Sequence, residues 1–105
     1  MYKNFSIKKG DEFAFAVTFK NLSQEPSEVL FGLKRDYDQE EYDLLLSLGS
    51  GIEKLSSNQY SIRISPEQCE ELSEENYTYD LRFKIGNTIK TPLSGKIVIS
   101  ETVFN

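Results

Sequence analysis

The densest group of chemistry-bearing side chains is Asp36-Tyr37-Asp38-Gln39-Glu40-Glu41-Tyr42-Asp43, with five carboxylates in eight residues. Oxygen-rich runs of this kind are what calcium requires, and Asp36, Asp38 and Glu40 repeat the odd-position spacing of the first half of an EF-hand loop. The pattern then fails, because Glu41 stands where the sharp turn needs Gly and Ser47 where a bidentate Glu belongs. What remains is a solvated acidic loop, the usual state of a charge run. Its Tyr37 and Tyr42 are rings suited to meet a partner or to stack on a sugar. A second acidic run, residues 67–75, fits helix physics, since carboxylates in a first turn complement the helix dipole. Paired carboxylates can cleave glycosides, but this chain is too small to wrap a sugar cleft and its acids fall on connections.

Nucleophilic chemistry finds less support. With no His in the chain there is no imidazole base, no Ser-His-Asp triad and no His-ligated zinc. Cys69 stands near the start of a capped helix, where the dipole can activate a thiol. Leu72, three residues on, places it instead on the apolar side, as a small buried hydrophobe. Ser94-Gly95-Lys96 resembles the end of a phosphate loop, but Ile97 follows where Ser or Thr is required and Lys90 holds the first Gly position. Gly49-Ser50-Gly51 lacks the strand-to-helix setting of a nucleophile elbow. Both read as turns. The sequence predicts no enzyme, no cofactor and no metal site.

The elements that carry these groups follow from periodicity. Phe13, Phe15, Val17 and Phe19 alternate with small or polar residues, as do Tyr77, Tyr79, Leu81, Phe83 and Ile85; only a strand gathers such sets on one face. Weaker runs are residues 5–7, 28–34, 43–48, 58–65, 88–92 and 95–104, separated by Gly, Asn, Ser and Pro turn signals. One helical turn is expected from Pro66 to about Leu72, with Ser65 as cap, Pro66 at the first position and Gln68 completing a capping box. The predicted core contains Phe13, Phe15, Val17, Phe19, Phe31, Leu33, Ile62, Ile64, Leu72, Tyr77, Tyr79, Leu81, Phe83, Ile97 and Ile99. In Ile97-Val98-Ile99 apolar residues do not alternate, which predicts a strand covered on both faces or one that meets a partner. Self-association or docking through one sheet face or edge is the expectation there.

Composition sets the outer bounds. The 105 residues are one domain's worth, 1–105, and carry a net charge of −5 with a pI near 4.7. Twelve scattered basic residues form no patch, which argues against a nucleic-acid partner. The single Cys cannot close an intramolecular disulfide, so a reducing compartment is expected. The opening MYKNFSIKKGDEF has no uninterrupted apolar run, which predicts neither a signal peptide nor membrane insertion.

Short strands with turns every 8 to 12 residues or so predict an all-β antiparallel sandwich of seven to eight strands with one short helical turn. Tyr77 at the start of a long strand, with Tyr79 on the same face, resembles the tyrosine corner of immunoglobulin-like sandwiches, Tyr79 taking the place of the usual Cys. Over almost the whole chain, FSIKKGDEFAF, YSIRISPEQCEEL, NYTYDLRF and TPLSGKIVI resemble small phage and prophage proteins of Gram-positive bacteria, similar to N-terminal modules of baseplate and tail proteins. That resemblance implies a non-catalytic virion component made in the bacterial cytoplasm. Its implied partners are other phage structural proteins or further copies of itself. The alternative is a small carbohydrate- or ligand-binding sandwich. The residues marked for contact are Tyr37, Tyr42, Ile97, Val98 and Ile99.

Overall fold

Period-two burial recurs along the chain in the computed structural model, which describes residues 2–20, 22, 24–73 and 75–101. Its elements are β1 (Phe5–Lys8), β2 (Phe13–Thr18), β3 (Glu28–Lys34), β4 (Leu44–Leu48), β5 (Gly51–Ser56), β6 (Gln59–Ile64), α1 (Pro66–Glu71), β7 (Asn76–Ile85) and β8 (Thr88–Ser100). In β7 the side chains of Tyr77, Tyr79, Leu81 and Phe83 are buried while Asp80, Arg82 and Lys84 face solvent. β3 answers with Val29, Phe31 and Leu33 on the same inner side.

The strands join in the order β1-β8-β7-β3-β4-β5-β6-β2. Pairings are antiparallel except β1 with β8 and a two-residue link between β4 and β5, Ser47 with Gly51 and Leu48 with Ile52. That short link joins two halves, β1-β8-β7-β3-β4 and β5-β6-β2, which fold face to face. The two free edges meet through rings: Phe5 of β1 lies 5.0 Å from both Phe13 and Phe15 of β2. Aromatic pairs continue inward, Phe15 to Phe31 and Phe31 to Tyr79, and Phe19 to Phe83. The result is the expected all-β sandwich.

α1 forms where expected. The Ser65 hydroxyl accepts from the Gln68 amide, and the Gln68 side chain accepts from the Ser65 amide. Cys69 and Leu72 are buried beneath it.

Three expectations need correction. The runs 88–92 and 95–104 are one strand, β8, as far as Ser100, since Pro92 lies in a bulge where Thr91 and Pro92 oppose Arg82 alone. A bulge is one of the few places a sheet tolerates Pro. Val103 and Phe104 lie outside the described residues. β5 was not expected, because Ile52 alone of its side chains is buried. Third, Phe13, Phe15 and Val17 are only half-buried, since β2 is an outer strand with no described strand paired along its far side.

Gly95 holds the N-terminal segment in place. It pairs with Tyr79 across the β7–β8 ladder, and a Cβ on it would overlap the Lys3 carbonyl oxygen and lie 2.7 Å from the carbonyl carbon. The Lys3 amide donates to the Ser94 carbonyl at 2.8 Å, and the Asn4 side chain accepts from the Lys96 amide at 3.0 Å. A methyl group at Gly95 would meet backbone, which has no rotamer to change. Gly95→Ala is expected to cost about 1 to 3 kcal/mol, measured by urea unfolding, with faster amide exchange at Lys3; an unchanged midpoint would refute the close approach.

Candidate functional site

The acidic loop connects β3 to β4 and is closed by its own groups. Asp43 Oδ2 accepts from the Arg35 amide at 2.9 Å and from Gln39 Nε2 at 3.0 Å, and the Arg35 guanidinium stands 3.4 Å from Asp43 Oδ1. Lys34 Nζ donates to the Gln39 carbonyl at 2.7 Å, and Asp36 Oδ1 accepts from the Asp38 amide at 3.2 Å. The exposed ion pair contributes little by itself; the loop's shape comes from Asp43 capping its two ends. Among the described residues no three carboxylate or thiol side chains gather as a metal's donor set.

What the loop positions is its rings. Tyr42 lies across β3 at Gly32, where a Cβ would come within 2.6 Å of the ring. Lys34 Nζ sits 4.7 Å from the Tyr42 ring centroid, a cation–π contact. Tyr42 is 46% exposed and Tyr37 64%. With Leu45 they wall a depression of about 200 Å³ whose floor is the outer face of β3 and β7, including Thr78, Asp80 and Arg82. Burial pushes the Asp80 carboxyl up from the usual range, and Arg82 and Lys34 pull it back down. Lys34, Asp80 and Arg82 carry no local signal, because only the strand order β7-β3-β4 brings them beside Leu45 and the rings; Leu45 itself stands in the apolar run Leu44-Leu45-Leu46, which the sequence marks as a further candidate for docking. The other local signal was Gly32, a gap in an otherwise bulky strand.

The remaining marked residues fall elsewhere. Ile97 and Ile99 point into the core and are buried, so they are withdrawn from the contact surface; period two leaves Val98 alone on the outer side, half-buried. Tyr77 and Tyr79 both face the core. The Tyr79 hydroxyl donates to the Lys3 carbonyl at 2.6 Å, 76 positions away in sequence, so it ties the N-terminal segment to β7. Cys69 is buried with Sγ 3.7 Å from the Lys8 carbonyl, in a packing role.

Two sheet halves packed face to face, with β1 parallel to β8, define an immunoglobulin-like sandwich. Solved structures of that class superpose on most of the chain. An immunoglobulin-like domain of mouse leukocyte-associated immunoglobulin-like receptor 1, solved as a strand-swapped dimer, has a TM-score of 0.56 at 11% identity, covering 91% of this chain and 86% of that one. The NK cell receptor Nkp44 gives 0.57 at 9%, covering 95% and 99%. The extracellular domain of the voltage-gated sodium channel beta4 subunit, a parallel homodimer, gives 0.51 at 13%, covering 97% and 93%. At these identities the likeness is one of fold. No family model matches the sequence, and no curated protein matches it.

Burial pushes the Tyr79 phenol up to about 12, with Tyr2 and Asp80 acting in the same direction. The unfolded chain releases that proton near 10 and the folded one near 12, so stability is unaffected below 10 and falls as pH rises from 10 through 12. Tyr79→Phe is expected to cost about 1 kcal/mol at neutral pH through the lost bond and to flatten the alkaline decline, measured by urea unfolding against pH. In the loop, calcium titration is expected to leave the melting temperature unchanged; a rise that Asp36→Asn removes would show an ion site.

Proposed function

We propose that this chain is a non-catalytic protein-interaction module of a phage or prophage tail or baseplate, and that its contact face is the Tyr37, Tyr42 and Leu45 surface. The observation that carries the reading is this outer face: two exposed rings and an exposed leucine around one depression, flanked by charges of both signs from Lys34, Asp80 and Arg82. Exposed aromatics set in a polar rim are the composition of protein contact sites. The phage setting is supported by the FSIKKGDEFAF to TPLSGKIVI succession of motifs. Homodimers named among the structures of similar fold support a module that works through association. A cytoplasmically made virion component that meets other tail proteins or copies of itself fits this reading.

A glycan is the second reading, favoured by one observation, that Tyr37 and Tyr42 stand over a depression that also presents Asp80 and Arg82. Binding on a glycan array that Tyr42→Ala abolishes would select it.

The test of the first reading uses particles released on induction of the strain that carries the gene. Mass spectrometry is expected to find the chain in purified virions, and its absence would sink the tail assignment. A photo-crosslinking residue at position 37 is expected to capture a tail protein or a second copy, and the same residue at exposed position 55 is not. Gly32→Ala is expected to lift the Tyr42 ring and cut incorporation several-fold while the melting temperature moves by only a few degrees, because that ring is free to turn into solvent.

A further inference from the structure

The outer strand β2 is built differently from every other strand. Its register with β6, together with the Phe19 amide donating to the Asn58 carbonyl at 2.8 Å, fixes which backbone groups are used. Hydrogen-bonded pairs alternate along an antiparallel ladder, so Phe13, Phe15 and Val17 bond to β6. The amides and carbonyls of Ala14, Ala16 and Thr18 therefore point away from the sheet, where β2 pairs with no described strand. The side chains at those three positions are small and exposed, so no bulky side chain of β2 itself screens the edge.

A groove of about 420 Å³ runs along this edge. Six consecutive residues, 15–20, from the strand and the segment after it line it; one face of a strand would contribute alternate residues, so the groove follows the edge itself. Its far wall is Phe83, Pro92 and Leu93. A second groove of about 430 Å³ shares Lys20, Phe83 and Pro92 and continues it towards Ile85 and Lys90. The inward side chains of β2 stay half-buried beside this space. Lys3 stands by one end, Lys20 at the junction and Lys90 beyond it, and no Asp or Glu among the described residues lines either groove. On a chain of net charge −5 this is a local basic rim around an apolar slot.

We propose that β2 accepts an extended segment of a partner protein as an added strand, and that this segment is apolar at alternate positions and acidic at its ends. The added strand satisfies the free backbone groups of Ala14, Ala16 and Thr18, and its inward side chains cover Phe15, Val17 and Leu93. Its terminal acids meet Lys3 and Lys20 or Lys90. Strand addition of this type draws affinity from the backbone and selectivity from the side chains and flanking charges. Lysines placed at a sheet edge oppose unselective pairing and leave it open to a segment of opposite charge. The proposal rests on the reading of the chain as an interaction module but uses a surface separate from Tyr37 and Tyr42.

The probe is an acetylated heptapeptide of alternating Val and Thr with Asp at both ends, titrated into the intact chain by fluorescence anisotropy and followed by amide exchange. Binding is expected, with exchange slowed at Ala14, Ala16 and Thr18 and unchanged at Phe15 and Val17. Replacing both Asp by Lys is expected to weaken binding about tenfold. Methylating the peptide's backbone nitrogens on the edge-facing side is expected to abolish it, a control that leaves the protein unaltered. Ala16→Pro removes only an outward amide and is expected to abolish binding too. Lack of binding at millimolar peptide, equal affinity for the Lys-ended peptide, or protection outside the three amides would overturn the proposal. So would a dimer by light scattering that Ala16→Pro dissolves, since a second copy would then own the edge. Loss of crosslinking at position 37 with the peptide result intact would count against the tail-contact face and leave the edge standing.

Discussion

The contact on which the arrangement depends is the meeting of Tyr79, Lys3 and Gly95. The Tyr79 hydroxyl reaches across the inner face to the Lys3 carbonyl, and it can do so because Gly95, its cross-strand partner, has no side chain in the way. A phenol buried without a partner would be costly, so the segment before β1 supplies the acceptor. In return that segment is held close enough for β1 to run beside β8, and Phe5 is delivered to Phe13 and Phe15. One hydrogen bond and one missing methyl group thus help seat β1, whose Phe5 then packs against the other half. The usual immunoglobulin-like bridge between the sheets is a disulfide; with a single Cys, buried on the inner side of α1, the chain links its halves through rings, Phe5 with Phe13 and Phe15, and Phe15 with Phe31.

Much of the architecture is legible in the sequence because alternation is a local property. Phe13 to Phe19 and Tyr77 to Ile85 announce their faces without reference to anything else, and Ser65-Pro66-Glu67-Gln68 specifies a helix start within four residues. What fails is whatever depends on the neighbour. Pro92 and Gly95 look like strand breakers, and their acceptance in β8 is decided by a bulge opposite Arg82 and by Lys3 from the far end of the chain. β5 buries too little to be seen alone and exists because β6 pairs with it. The ring-walled depression was half-legible: Tyr37 and Tyr42 stood out as rings in an acidic loop, but Leu45, Asp80 and Arg82 join them only through strand order. Ile97 and Ile99 satisfied two expectations at once, core and contact, and burial settles them as core.

Charge is distributed in the same two-level way. The carboxylates of the loop are used internally, Asp43 and Asp36 as caps on backbone amides, so part of what reads as an acidic surface is a folding device. The cations do the converse: Lys34 orders the loop and backs Tyr42, while Lys3, Lys20 and Lys90 border apolar grooves. A net charge of −5 therefore describes neither the ring-walled depression nor the β2 edge.

The parallel pairing of β1 with β8 also has a mechanical meaning. Because the two strands run the same way, tension between the start of β1 and the end of β8 slides one along the other, and the four register pairs from Phe5 with Ile97 to Lys8 with Ser100 bear the load together. An antiparallel pair pulled from one end would open one bond after another, like a zip. Under load the lifetime of the fold is set by the unfolding rate. This geometry places the shear-loaded ladder between the first and last of the described strands, so tension applied through those two strands loads it directly.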